Sequence, residues 1–122
     1  MIRAASLVVA AAVLVAADRD PLAGRVAGAP RNCIPLGSQI DGPTIVDART
    51  ILYRVGTRIY RTGPNAACPS LRPFTTLIVE VNGGQLCRND RFRTIDPGSA
   101  IPSGVCLFTD FTPYEKPASA AR

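Results

Sequence analysis

The sequence predicts an all-β fold, a small antiparallel sandwich or partly closed barrel of about six to eight short strands, disulfide-bonded and preceded by a cleaved signal helix. Three observations lead there. Between residues 31 and 114 no segment sustains a helical period, whereas short β-branched and aromatic runs recur between clusters of Gly, Pro, Asn and Asp. Cys33, Cys68, Cys87 and Cys106 are spread through the same stretch, an even number at long spacings, as in disulfide-braced exported domains. The N-terminus has the layout of a secretory signal.

That signal is the first element. Arg3 precedes an unbroken small-apolar run, Ala4 to Ala17, which ends at Asp18-Arg19-Asp20. The run falls short of the roughly 20 residues a membrane span needs, so no transmembrane anchor is expected once the signal is removed. Val15 and Ala17 suit the −3 and −1 pockets of a signal peptidase, which places cleavage after Ala17, with Ala16 as the alternative. Residues 18–30, with Pro21, Gly24, Gly28 and Pro30 and no sustained period, read as a flexible leader.

The β domain is expected over residues 31–114. Cys33–Ile40 and Thr44–Val46 supply one or two strands at its start. The clearest unit follows: Thr50–Val55, the turn Gly56-Thr57, and Arg58–Thr62 form a hairpin whose Gly-first turn suits type II′ and whose register pairs Tyr53 with Tyr60. Ile51, Tyr53, Val55 and Tyr60 then share the core face. Leu52, Arg54, Ile59 and Arg61 are expected on the wetter one.

Phe74–Val81 and Gln85–Arg88 around Asn82-Gly83-Gly84 read as a second hairpin. Its register depends on whether Asn82-Gly83 or Gly83-Gly84 takes the turn centre, which the residues leave open. Phe92–Ile95 is a short strand broken by Asp96-Pro97-Gly98-Ser99, and Val105–Phe111 is the closing strand. Residues 115–122 read as a disordered tail. Of the three ways to pair four cysteines, Cys68–Cys87 with Cys33–Cys106 is favoured on topology, although sequence does not fix pairing. Each bridge stabilises by about 2–4 kcal/mol.

Chemistry is constrained chiefly by absence. The 122-residue chain has no histidine, so Ser-His-Asp and Cys-His catalytic sites are excluded. Oxidised cysteines are neither nucleophiles nor metal ligands, and the long cysteine spacings lack the close pairs of zinc sites. No cofactor-binding motif occurs. The remaining enzymatic design needs two converging carboxylates, for which Asp47, Glu80, Asp90, Asp96 and Asp110 are the available groups.

The formal charge is +5; loss of Arg3 with the signal leaves 13 basic against 9 acidic side chains, or +4. No block of like charge occurs, so no nucleic-acid-binding tail is expected. The one cluster that stands out is Arg88-Asn89-Asp90-Arg91. As a binding site, Arg88, Asp90 and Arg91 would present guanidiniums to an acidic group. As plain structure, Asn89 and Asp90 make a tight solvated turn in which Asp90 pairs locally.

Arg31-x-Cys33, an Asp before a strand with tyrosine-containing neighbours, Cys68 followed by Leu71, Leu86-Cys87-x-x-Asp90 and the late Cys106 together resemble a family of small exported proteins of Gram-negative bacteria, known only as a domain of unknown function. The resemblance spans residues 31–113. It implies export and paired cysteines and brings no activity with it. The expectation is a periplasmic or secreted non-enzymatic module that binds a protein or an acidic envelope component. An inhibitor of an extracellular lysozyme or protease is the alternative, with Pro97–Ser103 or Arg88–Arg91 as the inserted loop. A carboxylate-dependent enzyme ranks third.

Overall fold

A computed structural model describes residues 20–37 and 39–117; the expected signal segment lies outside the described residues. Ten strands run in antiparallel sheets: β1 (Val26–Ala27), β2 (Cys33–Pro35), β3 (Ile40–Asp47), β4 (Thr50–Val55), β5 (Arg58–Thr62), β6 (Thr76–Val79), β7 (Gln85–Cys87), β8 (Arg91–Ile95), β9 (Cys106–Leu107) and β10 (Thr112–Glu115). The all-β expectation holds. The count exceeds six to eight because β1 and β9 are two-residue pairings, too short to leave an alternating pattern. The strands form a five-stranded sheet in the order β1-β10-β5-β4-β3, a two-stranded sheet β2-β7, and a three-stranded sheet β6-β8-β9.

The β4–β5 hairpin forms as its sequence specifies. Val55 opposes Arg58, Tyr53 opposes Tyr60, and Gly56 takes a positive φ of 61° while Thr57 does not, as a type II′ turn requires. Ile51, Tyr53 and Tyr60 are buried, and they join Ile34, Leu86, Phe92, Phe108 and Phe111 in one core drawn from all three sheets. Phe108 stands at its centre, with Phe92 and Phe111 at ring-centroid distances of 4.5 and 5.8 Å.

The other face of the hairpin departs from expectation. Arg54 and Arg61 are exposed, but Leu52 and Ile59 are buried. The segment expected as a free leader stands over them: β1 pairs with β10, and Arg25 donates from Nη1 to the carbonyls of Thr57 (2.6 Å) and Tyr114 (3.3 Å). Pro21 lines a cleft with Leu52 and Ile59. A segment without internal periodicity is thus held by backbone pairing to a distant strand, which composition does not reveal.

The second expected hairpin is corrected. Its turn exists, with Gly83 and Gly84 both at positive φ and Asn82 bridged to Gln85, so Gly83-Gly84 takes the centre. The arms then part. β6 pairs with β8 and β7 with β2. In the β2–β7 register Cys33 lies opposite Cys87, and Ile34 opposite Leu86; both apolar side chains are buried, and the two cysteines are bonded to each other. Core burial and a covalent bond outweigh the local turn.

The favoured disulfide pairing is overturned for the same reason. The bridges are Cys33–Cys87 and Cys68–Cys106, and no described cysteine is free. Cys68 and Leu71, both buried, bracket a turn closed by the Leu71 N–H to the Cys68 carbonyl (3.0 Å), which delivers Cys68 to β9 rather than to β7.

The expected closing strand Val105–Phe111 is also divided. β9 belongs with β8, Phe108 bridges Pro64, Phe111 bridges Arg31, and β10 continues into the five-stranded sheet beside β5. The chain changes sheets between Leu107 and Thr112, so Phe108 and Phe111 both reach the core despite a spacing that strand alternation forbids.

Candidate functional site

The cluster singled out in the sequence is a structural turn. Asp90 is half-buried, and its Oδ2 accepts the Cys87 N–H (2.7 Å) while its own N–H donates to the Cys87 carbonyl (3.0 Å). Asn89 occupies the left-handed region at φ 69°, a conformation asparagine tolerates better than most residues. Its N–H reaches the Phe108 carbonyl (2.9 Å). Arg88 faces Asp110 at 3.3 Å, whereas Arg91 is exposed and makes no ion pair among the described residues. One guanidinium is therefore neutralised within the chain, and Asp90 is spent on the backbone.

Three more of the five candidate carboxylates are similarly committed: Asp47 accepts the Arg49 N–H in the β3–β4 turn, Asp96 pairs with Arg72 and Asp110 with Arg88. Glu80 is exposed and has no side-chain partner among the described residues. Among the described residues no group of three or more acidic or cysteine side chains is placed to hold a metal ion.

Two further features carry more, and of their residues the sequence had pointed only to the Pro97–Ser103 loop. The first lies past one end of the three-stranded sheet, where Thr76 opposes Ile95 and two β-turns stand side by side. Arg72-Pro73-Phe74-Thr75 is closed by the Thr75 N–H (3.3 Å) and Oγ1 (2.7 Å) on the Arg72 carbonyl. Asp96-Pro97-Gly98-Ser99 is closed by the Ser99 N–H on the Asp96 carbonyl (3.0 Å). The first residues of the two turns are joined by the Arg72–Asp96 ion pair at 2.7 Å. Each has proline second and a positive φ at its third position, 72° at Phe74 and 78° at Gly98, the pattern of a type II turn, which favours glycine there.

Phe74 therefore sits where its twin has glycine, and it is 91% exposed. An L-residue in that conformation is disfavoured by about 1–2 kcal/mol, and no buried contact offsets it. Ile101, 80% exposed, follows on the twin loop. That loop is braced by Ile101 N–H to Ser99 Oγ (3.2 Å), Ser103 N–H to the Thr94 carbonyl (2.8 Å) and Thr94 N–H to Ser103 Oγ (2.9 Å). The two most exposed large hydrophobic side chains among the described residues thus lie on the β5–β6 and β8–β9 connections, whose turns are joined by the Arg72–Asp96 ion pair.

The second feature lies where β5, β10 and the segment before β2 meet. Arg31 and Arg58 each donate from Nη1 to the Tyr60 hydroxyl, at 3.2 and 3.1 Å, and Arg58 is also paired with Glu115. These bonds to Tyr60 and Glu115 raise the Arg58 pKa above its ordinary value. Beside them opens a cleft of about 240 Å³. Arg58 and Tyr60 stand two residues apart on β5, but Arg31 and Glu115 come from distant positions, Glu115 from the expected tail, so no spacing signals the group. Comparison with family models, curated proteins and solved structures finds no match for the chain.

Proposed function

We propose that this protein is an exported, non-enzymatic β module of the periplasm or the extracellular medium that binds another protein through the paired-turn end carrying Phe74 and Ile101. The observation that carries the reading is the placement of Phe74: a large aromatic side chain held in a conformation that favours glycine and burying little of its surface within the domain. Local strain of this kind persists where it serves a contact outside the chain, and aromatic side chains on rigid supports are the usual anchors of protein interfaces. The two disulfides suit an oxidising compartment outside the cytoplasm. The engagement of Asp47, Asp90, Asp96 and Asp110 in turns and ion pairs supports binding over carboxylate catalysis.

The test is capture from envelope extract of the native host by the wild-type protein, by Phe74→Gly and by Ile101→Ser. A partner retained by wild type and lost by both variants supports the reading, and one held equally by all three removes this end as the site.

A specific form of this reading is inhibition of an extracellular lysozyme or protease, favoured by the braced, projecting loop that presents Ile101. It requires inhibition in a hydrolase panel at micromolar protein and its loss in Ile101→Asp. Absence of inhibition across the panel removes it.

A further inference from the structure

We propose that Arg31, Arg58 and the Tyr60 hydroxyl form a binding site for a single carboxylate group, separate from the Phe74 end and independent of the role assigned to it. Tyr60 is 3% exposed, yet two guanidiniums converge on its oxygen, and each guanidinium carbon stands 5.9 Å from its ring centroid. Guanidinium groups only donate, so the phenol oxygen accepts both bonds and its own proton remains to be given away. Among the described residues that proton has no acceptor.

The charge balance points the same way. Two cationic groups share one carboxylate, since Glu115 bonds Arg58 and Arg31 has no acidic partner among the described residues. The site is one negative charge short, and its free donors are the remaining N–H groups of Arg31 and the Tyr60 O–H.

The adjoining cleft of about 240 Å³ is lined by Arg31, Arg58 and Glu115 together with uncharged Ala29, Pro30 and Pro113, so it brings no charge beyond that already counted and has room for a small molecule bearing such a group. A singly charged, planar carboxylate matches both the charge deficit and the donor fork of a guanidinium; Glu115 already engages Arg58 through one oxygen, Oε1, which takes Nε and Nη2. A phosphate monoester, carrying about −1.5 to −2 at neutral pH, over-neutralises the same pair beside Glu115. Glu115 acts as an internal competitor, because a ligand that bridges both guanidiniums must share or displace its hold on Arg58.

The test uses the full chain, recovered with its disulfides from an export-competent bacterium and labelled with ¹⁵N, titrated with N-acetylalanine, N-acetylalaninamide and inorganic phosphate. Millimolar N-acetylalanine is expected to shift the Arg31 and Arg58 Nε–H resonances and the Ala29 and Arg31 amides, leaving Arg93 unmoved. N-acetylalaninamide, with the same shape and no charge, should leave all of them in place. Arg31→Gln should weaken the acid by about tenfold, the loss expected for one charge-assisted contact. Glu115→Gln should tighten it several-fold.

Because Arg31 and Glu115 are exposed, both variants retain the core, and their amide spectra verify this. Shifts equal for acid and amide, phosphate binding as strong as N-acetylalanine, no response at millimolar ligand, or weaker binding in Glu115→Gln would each overturn the proposal.

Discussion

Replacing Phe74 with glycine should stabilise the domain while abolishing its partner binding. The side chain is 91% exposed, so its removal forfeits little buried area. At φ 72° it carries the left-handed penalty of about 1–2 kcal/mol for an L-residue, which glycine does not. Against this, glycine adds freedom to the unfolded chain worth about 0.4–1 kcal/mol. The net expectation is a gain of about 0.5–1 kcal/mol and, for a domain of this size, a rise of a few degrees in Tm.

The twin turn supplies the reverse experiment. Gly98 has φ 78°, and a Cβ built there meets nothing within 4 Å, so Gly98→Ala changes backbone preference without a clash and should lose about as much as Phe74→Gly gains. Urea denaturation of both variants beside wild type, followed by capture assays, reads both signs. A Phe74→Gly protein that unfolds at lower urea would show that the ring packs within the domain. One that is more stable yet binds its partner as wild type does would refute the link between the strain and the interface. A neutral Gly98→Ala would remove the turn comparison on which the magnitude rests.

Three further outcomes are expected. Cys33→Ala/Cys87→Ala and Cys68→Ala/Cys106→Ala each release a loop, of 54 and 38 residues in sequence separation, worth about 4 kcal/mol of loop-closure entropy. The second variant should lose about 1 kcal/mol more because Cys68 is buried, and equal denaturation midpoints would contradict that ordering. Burial pushes the Tyr53 phenol well above its ordinary value, so above the unfolded tyrosine pKa of about 10 the unfolded chain releases a proton that the native one retains. Stability should be unaffected by this group below about pH 10 and fall above it by up to roughly 1.4 kcal/mol per pH unit. Denaturation midpoints at alkaline pH should show that decline and a shallower one in Tyr53→Phe. Protein recovered from an export-competent bacterium with thiols alkylated before reduction should have the mass of residues 18–122 lacking four hydrogens; full-length protein bearing alkyl groups would contradict both export and the bridges.

Local patterns carried the β4–β5 hairpin, because its register follows from Gly56-Thr57 and from alternation within twelve consecutive positions, 51 to 62. They also carried the all-β class and the expectation of paired cysteines. Arg88-Asn89-Asp90-Arg91 was legible as a turn, since asparagine and aspartate supply the backbone chemistry it uses. The same residues held no information on whether their charges were available, because Asp110, which takes Arg88, arrives from another segment.

The second hairpin shows where local reading stops. Gly83-Gly84 specifies a reversal but not which strands receive the arms. That choice rests on which registers bury Ile34 and Leu86 and set Cys33 against Cys87, a global condition. The candidate sites belong to the same class. Arg31 and Glu115 reach Arg58 and Tyr60 only because Arg31 bridges Phe111 and β10 pairs with β5, and Phe74 is notable only once its φ and exposure are known. Sequence by itself determined what short-range sterics, turn chemistry and cysteine content dictate. Tertiary structure decided which distant segments share a core, a bridge or a cleft, because burial and covalent pairing are won by whole arrangements of strands and not by neighbours in the chain.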